Sequence, residues 1–339
     1  MTKQFVWSPN HDQTYDSSYG SQTVVCSDFG RSDTTFSANC PGMRVKFQVL
    51  TDSSATDTYW SMTDMPGNVV SVLSGDVVFD FGGVSSLRAD GFEYRGDIVV
   101  TGGGRLVLSN ARTVVFARAA ARVSGAGKLL ITSVGMVDFS PGLNNNGKDL
   151  LINDGELLVE EVDSCRLFDT VAADGYLIMA ANSIFLGVAF SSTNSITDLV
   201  CDEFTFAIGA EDPDFGITPG CFLYRGSKTS IVASSRVYFS GGVKFALADD
   251  AHLSIAGIDR EVFFKSSDFV FDFDTKRSNC TATVVLEPAD AFIGNAIFDN
   301  GFITMDGGPV SREESFREFT KVVSVNPSTG QQVLTIQKR

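Results

Sequence analysis

"GGGRLVLSNARTVVF" spans Gly102–Phe116, and "GAGKLLITSVGMVDF" spans Gly125–Phe139, 23 residues further on. Laid one on the other, Gly102 falls on Gly125, Gly104 on Gly127, Arg105 on Lys128 and Leu106 on Leu129. Val114 then meets Val137, and Phe116 meets Phe139. Each copy alternates apolar and polar residues after a glycine-rich turn, the pattern of short strands with one buried face. A chain that restates two or three strands every ~20–25 residues reads as coils of a parallel β-solenoid, since stacked coils must repeat their inward residues. Inward columns are therefore expected: Leu106, Leu129 and Leu150 in one, Leu108, Ile131 and Ile152 in another, with Phe116 stacked on Phe139. The next step, Lys128 to Asp149, is 21 residues, a difference that turn loops absorb.

Working outward, "DVVFDF" (76–81), "DIVV" (97–100), "DLLI" (149–152), "RVYF" (236–239), "VKFAL" (243–247), "HLSIAG" (252–257), "EVFF" (261–264) and "FVFDF" (269–273) have the same short, alternating character. The predicted fold is all-β: a right-handed parallel β-helix over residues 68–308, roughly ten rungs at ~4.8 Å spacing. Beyond Asp163 the intervals blur, and residues 209–220 read as an extruded loop. A β-sandwich is the competing arrangement. Residues 1–23 read as an extended polar arm, because Ser8–Thr23 holds no aliphatic residue, leaving Trp7, Tyr15 and Tyr19 to anchor it. Residues 24–67 read as an N-terminal cap or small β subdomain. In 309–339, "SREE" (311–314) is a capping-box signature starting a short helix with Phe316 and Phe319 on one face. "KVVSV" and "QVLTI" around "NPSTGQ" then predict a β-hairpin.

The 339 residues carry a net charge of −15, which disfavours nucleic acid as a partner. The N-terminal sequence lacks the apolar core of a secretory signal. Gly175–Thr197 is uncharged and long enough to span a bilayer, but its Asn, Ser and Thr residues favour two buried strands and a turn. No membrane insertion is expected.

Catalytic patterns are sparse. The cysteines at 26, 40, 165, 201, 221 and 280 show no CxxC spacing, and His11 and His252 are the only histidines, so metal, cofactor and triad chemistry find no support. "GGGR" and "GAGK" lack the remainder of a phosphate loop and read as turns. "NCT" at Asn279 matches a glycosylation sequon, without meaning in the absence of a secretory route. Paired carboxylates for glycoside hydrolysis are the remaining chemistry. The candidates are Asp76 with Asp80, Glu160 with Glu161 and Asp163, Glu211 with Asp212 and Asp214, and Asp272 with Asp274. Each reads more simply as a solvated face, and Asp80, Asp272 and Asp274 alternate with Phe and so point outward.

The coil at 102–139, the polar leading segment and the separate C-terminal element together resemble the β-helical virion proteins of tailed bacteriophages, such as tailspikes, tail fibres and head appendages. The resemblance is one of architecture, and no catalytic residue carries over. It implies a non-enzymatic structural or attachment subunit located in the virion, a homotrimer fixed to other virion proteins by the N-terminal arm, with host-surface polysaccharide as a further partner. The alternative is a carbohydrate-active β-helix enzyme, a glycosidase or lyase using paired carboxylates. A bacterial surface adhesin is disfavoured by the missing signal.

Overall fold

A computed structural model describes residues 3–8, 11–26, 34–49, 60–61, 69–82, 93–95, 97–116, 121–139, 150–208, 220–258, 269–276, 281–288 and 293–339. Strand accounts for 70% of the described residues and helix for 6%, so the fold is all-β. The chain divides into two compact units, Met1–Ala181 and Asn182–Arg339.

Three columns of parallel strands build the first unit. One column stacks residues 13–16, 35–39, 69–74, 97–100, 121–124, 150–153 and 170–173. A second stacks 22–26, 44–49, 76–80, 105–109, 128–132 and 156–160. A third stacks 60–61, 93–95, 113–115, 136–139 and 164–167. From residue 97 onward the chain visits the three in strict rotation. The strands Val69–Asp80 and Glu156–Ala173 are long enough to bend from one column into the next. Through them the pairings close on themselves as a parallel barrel of seven strands.

The 23-residue repeat is the register itself. Arg105 pairs with Lys128, Leu106 with Leu129, Leu108 with Ile131 and Val114 with Val137. The Phe116 and Phe139 rings stack at 4.6 Å, 6° from parallel. The assignment of Leu150 and Ile152 needs correction. Leu129 is followed in its column by Leu157, and Ile131 by Val159. Leu150 lies between Ala121 and Thr170, and Ile152 between Val123 and Ala172, in another column. "DLLI" imitates "KLLI" because both alternate, and alternation reports which face is buried but not which column a strand joins.

Small residues set the corner between the first two columns. A Cβ on Gly104 would lie 2.6 Å from the Val72 carbonyl oxygen, one on Gly127 2.6 Å from that of Val100, and one on Gly155 2.7 Å from that of Val123. Backbone therefore approaches backbone too closely for any side chain. The residue before each corner is left-handed, with φ of 77° at Gly103, 62° at Ala126 and 55° at Asp154. The second unit keeps the left-handed step but follows it with a small residue that carries a Cβ, in Asn194-Ser195, Gly226-Ser227 and Asp250-Ala251, where φ of the first residue is 46°, 70° and 61°.

The N-terminal segment is not a free arm. Gln13–Asp16 and Gln22–Cys26 are the first strands of two columns. Phe5 and Trp7 are buried against Phe36 and Phe47, and Tyr15 is buried with its hydroxyl donating to the Gly20 carbonyl at 2.6 Å. Aromatic bulk replaces the missing aliphatic residues in covering the open end. Parallel stacking thus begins at residue 13 rather than 68.

In the second unit, 189–193, 220–224, 243–247, 269–273 and 303–305 stack in parallel, as do 196–201, 228–233, 252–256 and 283–287. The uncharged run 175–197 is mostly one strand, Tyr176–Thr193, rather than two. The last strands change direction. Gln332–Lys338 pairs antiparallel with 283–286, and Phe319–Val325 pairs antiparallel with Gln332–Lys338. The capping box at Ser311 and Glu314 forms and starts the helix Arg312–Glu318. Phe319 is buried against Phe273 and Phe298, whereas Phe316 is exposed, so the two do not share a face.

Candidate functional site

The acid clusters carry the remaining candidate chemistry of the sequence. Asp80 and Asp272 lie on the strand side opposite Phe79 and Phe271, yet neither is solvated. Asp80 is buried with Lys46 Nζ at 2.7 Å, and accepts from Asn110 Nδ2 at 2.8 Å and the Gly82 N–H at 3.3 Å. Asp272 is buried with Lys244 Nζ at 2.5 Å, and accepts from Thr304 Oγ1 at 2.7 Å and the Gly307 N–H at 2.8 Å. Burial pushes both carboxyls up, but the bonds from lysine, side chain and backbone outweigh it and hold both below the ordinary aspartate range. A glycosidase acid needs the opposite shift.

The two clusters are built alike. Lys46 stands opposite Val78 and Lys244 opposite Val270, with the aspartate two residues on. Both come from "VKF" (45–47 and 243–245) stacked against "VFDF" (78–81 and 270–273). That pairing of tetrapeptide and tripeptide was the available sequence signal, and a search for paired acids passes over it. Among the other candidates, Asp76 pairs with Arg44 at 3.5 Å and Arg105 at 3.1 Å. Glu161 accepts from Ser133 Oγ at 2.6 Å. Asp274 accepts from the Lys276 N–H at 3.0 Å. Glu160 pairs across from Thr132 in register, and Asp163 lies in the same strand. Glu211, Asp212, Asp214, Asn279 and Cys280 lie outside the described residues.

His252 sits in register between Lys228 and Thr283, and burial with the Lys228 charge holds its imidazole below the usual range. His11 is exposed in the N-terminal segment. Cys26, Cys40, Cys165, Cys201 and Cys221 are free and buried. Burial pushes the Cys26 thiol up to about 12 and Cys201 to about 11, far from a reactive thiolate. Among the described residues no group of three or more His, Cys, Asp or Glu is arranged to hold a metal ion, and no helix is long and apolar enough to cross a membrane.

The remaining feature is the C-terminal ribbon. Leu334 and Ile336 of its inner strand are fully buried and continue the apolar rows of Leu286 and Val284. The turn is clamped by Glu287, which accepts from Asn326 Nδ2 at 3.1 Å and Thr329 Oγ1 at 2.7 Å. Lys338 is buried beside Glu318 at 3.1 Å. Among the described residues the outer strand Phe319–Val325 has a strand partner on one side only, and its Val322, Val323 and Val325 are 49%, 42% and 60% exposed. A rigid strand with one open edge and exposed valines is a surface for pairing with another chain. No family model, curated protein or solved structure matches the chain.

Proposed function

We propose that this chain is a non-enzymatic structural or attachment subunit whose columns form a right-handed parallel β-helix, of the kind found in the virion appendages of tailed bacteriophages. The handedness follows the near-universal preference of parallel crossover connections. The observation carrying the non-catalytic reading is that the two most buried carboxylates of the candidate clusters, Asp80 and Asp272, are each tied to a lysine and two further donors. Such groups hold layers together and are not free to protonate a leaving group. Assembly as a homo-oligomer is part of the same proposal, with the exposed Val322, Val323 and Val325 of the C-terminal ribbon as an apolar surface for a partner to cover. Other virion proteins and host-surface polysaccharide are its proposed partners.

Reducing-sugar release from a panel of bacterial polysaccharides tests the reading. No release is expected. Release abolished by Asp76→Asn, Glu161→Gln or Asp274→Asn supports instead a carbohydrate-active enzyme. Capsid, portal and tail genes beside this gene are expected for a virion protein, and their absence counts against the virion assignment.

A further inference from the structure

We propose that residues 3–8 are a strap, locked by the side-chain amides of Gln13 and Gln22, that keeps the first coil from pairing with a second copy of this chain.

The first coil needs a cover. Among the described residues its strands Gln13–Asp16 and Gln22–Cys26 pair on one side only, with 36–39 and 45–49. Their other side is the open end of two columns, a strand edge of the kind that templates association. Both glutamines stand in inward rows at this end. Gln13 heads the row that continues through Phe36, Val70 and Ile98, and Gln22 heads the row of Val45, Val77 and Leu106. Those six successors are apolar and buried, so an amide at the head of each row is unfavourable unless its own donors and acceptor are used.

The strap uses them. Gln22 Nε2 donates to the Lys3 carbonyl at 3.2 Å, and its Oε1 accepts from the Phe5 N–H at 3.0 Å. Gln13 Nε2 donates to the Val6 carbonyl at 2.9 Å, and its Oε1 accepts from the Ser8 N–H at 2.8 Å. In each case the carbonyl and the N–H flank one strap residue, Gln4 or Trp7. A single residue of a neighbouring strand pairs in this way in a parallel ladder. Each amide therefore stands in for a peptide group of a docked strand.

Side chains complete the closure. Phe5 and Trp7 are buried, and Trp7 lies 5.2 Å from Phe47 and 6.2 Å from Phe79. Gln4 and Val6, which alternate with them, are exposed. The strap thus sets two rings over the apolar rows and holds any second chain a full layer away from them.

Lifting the strap uncovers apolar rows and strand edges at a fixed spacing, which the same end of a second copy matches because it is built alike. Charge does not oppose that encounter. The chain as a whole carries −15, yet the strap and the two first strands hold Lys3 and Asp16 as their only charged side chains.

Gln13→Met together with Gln22→Met keeps side-chain length and removes both amides. Trp7 and Trp60 are the only tryptophans, so in a Trp60→Phe background the emission and acrylamide quenching of Trp7 report the strap. With both glutamines present, a shielded Trp7 and a light-scattering mass independent of concentration are expected. The double variant is expected to keep the main melting transition, to expose Trp7 to quencher, and to gain mass as concentration rises. Gln22→Glu, which retains the acceptor and loses the donors to Lys3 and Tyr19, is expected to shift Trp7 and mass the same way at pH 7. A Trp7 still shielded in the double variant overturns the amide lock. Exposed Trp7 with an unchanged mass, or a wild-type mass that climbs equally with concentration, overturns the block on self-pairing. Loss of the melting transition in both variants overturns a strap separable from the core. The wild-type mass itself bears on the homo-oligomer reading alone.

Discussion

Asp272 shows how one residue can mislead a reading based on alternation. Its place between Phe271 and Phe273 puts it on the outer side, which the sequence renders as solvated. The structure covers that side, and Lys244, Thr304 and the Gly307 N–H replace the water the carboxylate loses. Asp272→Asn is expected to cost about 1–3 kcal/mol, the range for charged hydrogen bonds that are lost or left unmatched. The sign of its pH dependence follows from the depressed folded-state pKa. The carboxylate's contribution is fully present above the ordinary aspartate value of about 3.9, and is lost as pH falls through the lower folded value. Denaturant titrations of both proteins should therefore differ at pH 7 and converge in acid. A constant gap at every pH would mean that the aspartate acts through its shape alone.

At the scale of elements, the strands were legible and their columns only partly so. Arg105–Ser109 and Lys128–Phe139 repeat each other in inward residues, corner glycine and stacked phenylalanine, so their register is written in the sequence. Past Asp163 the apolar spacing blurs because loops vary, while the corner dipeptides Asp174-Gly175, Asn194-Ser195, Gly226-Ser227 and Asp250-Ala251 keep marking each passage. Turn chemistry was the steadier signal, since backbone contact there admits only small residues. One inward row changes chemistry on the way: Thr197 and Thr229 stack ahead of Leu253 and Val284. Both hydroxyls are buried without a hydrogen-bond partner. Thr229→Val keeps the shape and removes the unmatched hydroxyl, and should raise stability by about 1 kcal/mol. A fall in melting temperature would show that the hydroxyl is satisfied in solution.

At the scale of the molecule, the two chain ends contrast. Composition made the N-terminus look detachable, because aliphatic residues are the usual mark of burial. Here the work falls to Phe5, Trp7 and Tyr15, which pack on Phe36 and Phe47. Removing residues 1–23 should therefore destabilise the first unit severely, since losing even one buried aromatic costs ~3–5 kcal/mol. A truncated chain with unchanged melting temperature and proteolytic resistance would restore the free-arm reading. The C-terminal element was read more fully, because a capping box and a hairpin turn are local signals that need no tertiary context. The Glu287 clamp joins residues 39 and 42 positions apart and could not be read locally.

The register of the parallel columns decides the fold, and a paired-cysteine experiment addresses that register directly. Lys128 and Glu156 face each other on an accessible surface with Nζ and Oε2 2.5 Å apart. Parallel neighbours sit within the Cα range that a disulfide spans. Lys128→Cys with Glu156→Cys, in the Cys280→Ser background, should form an intramolecular disulfide detectable as linked peptides by mass spectrometry. The five buried thiols are expected to stay unlinked. Leu130→Cys with Leu151→Cys, a pair implied by the 21-residue spacing, should stay reduced under the same conditions, since Leu151 stacks between Arg122 and Val171. A link at 130–151 in place of 128–156 would contradict this stacking.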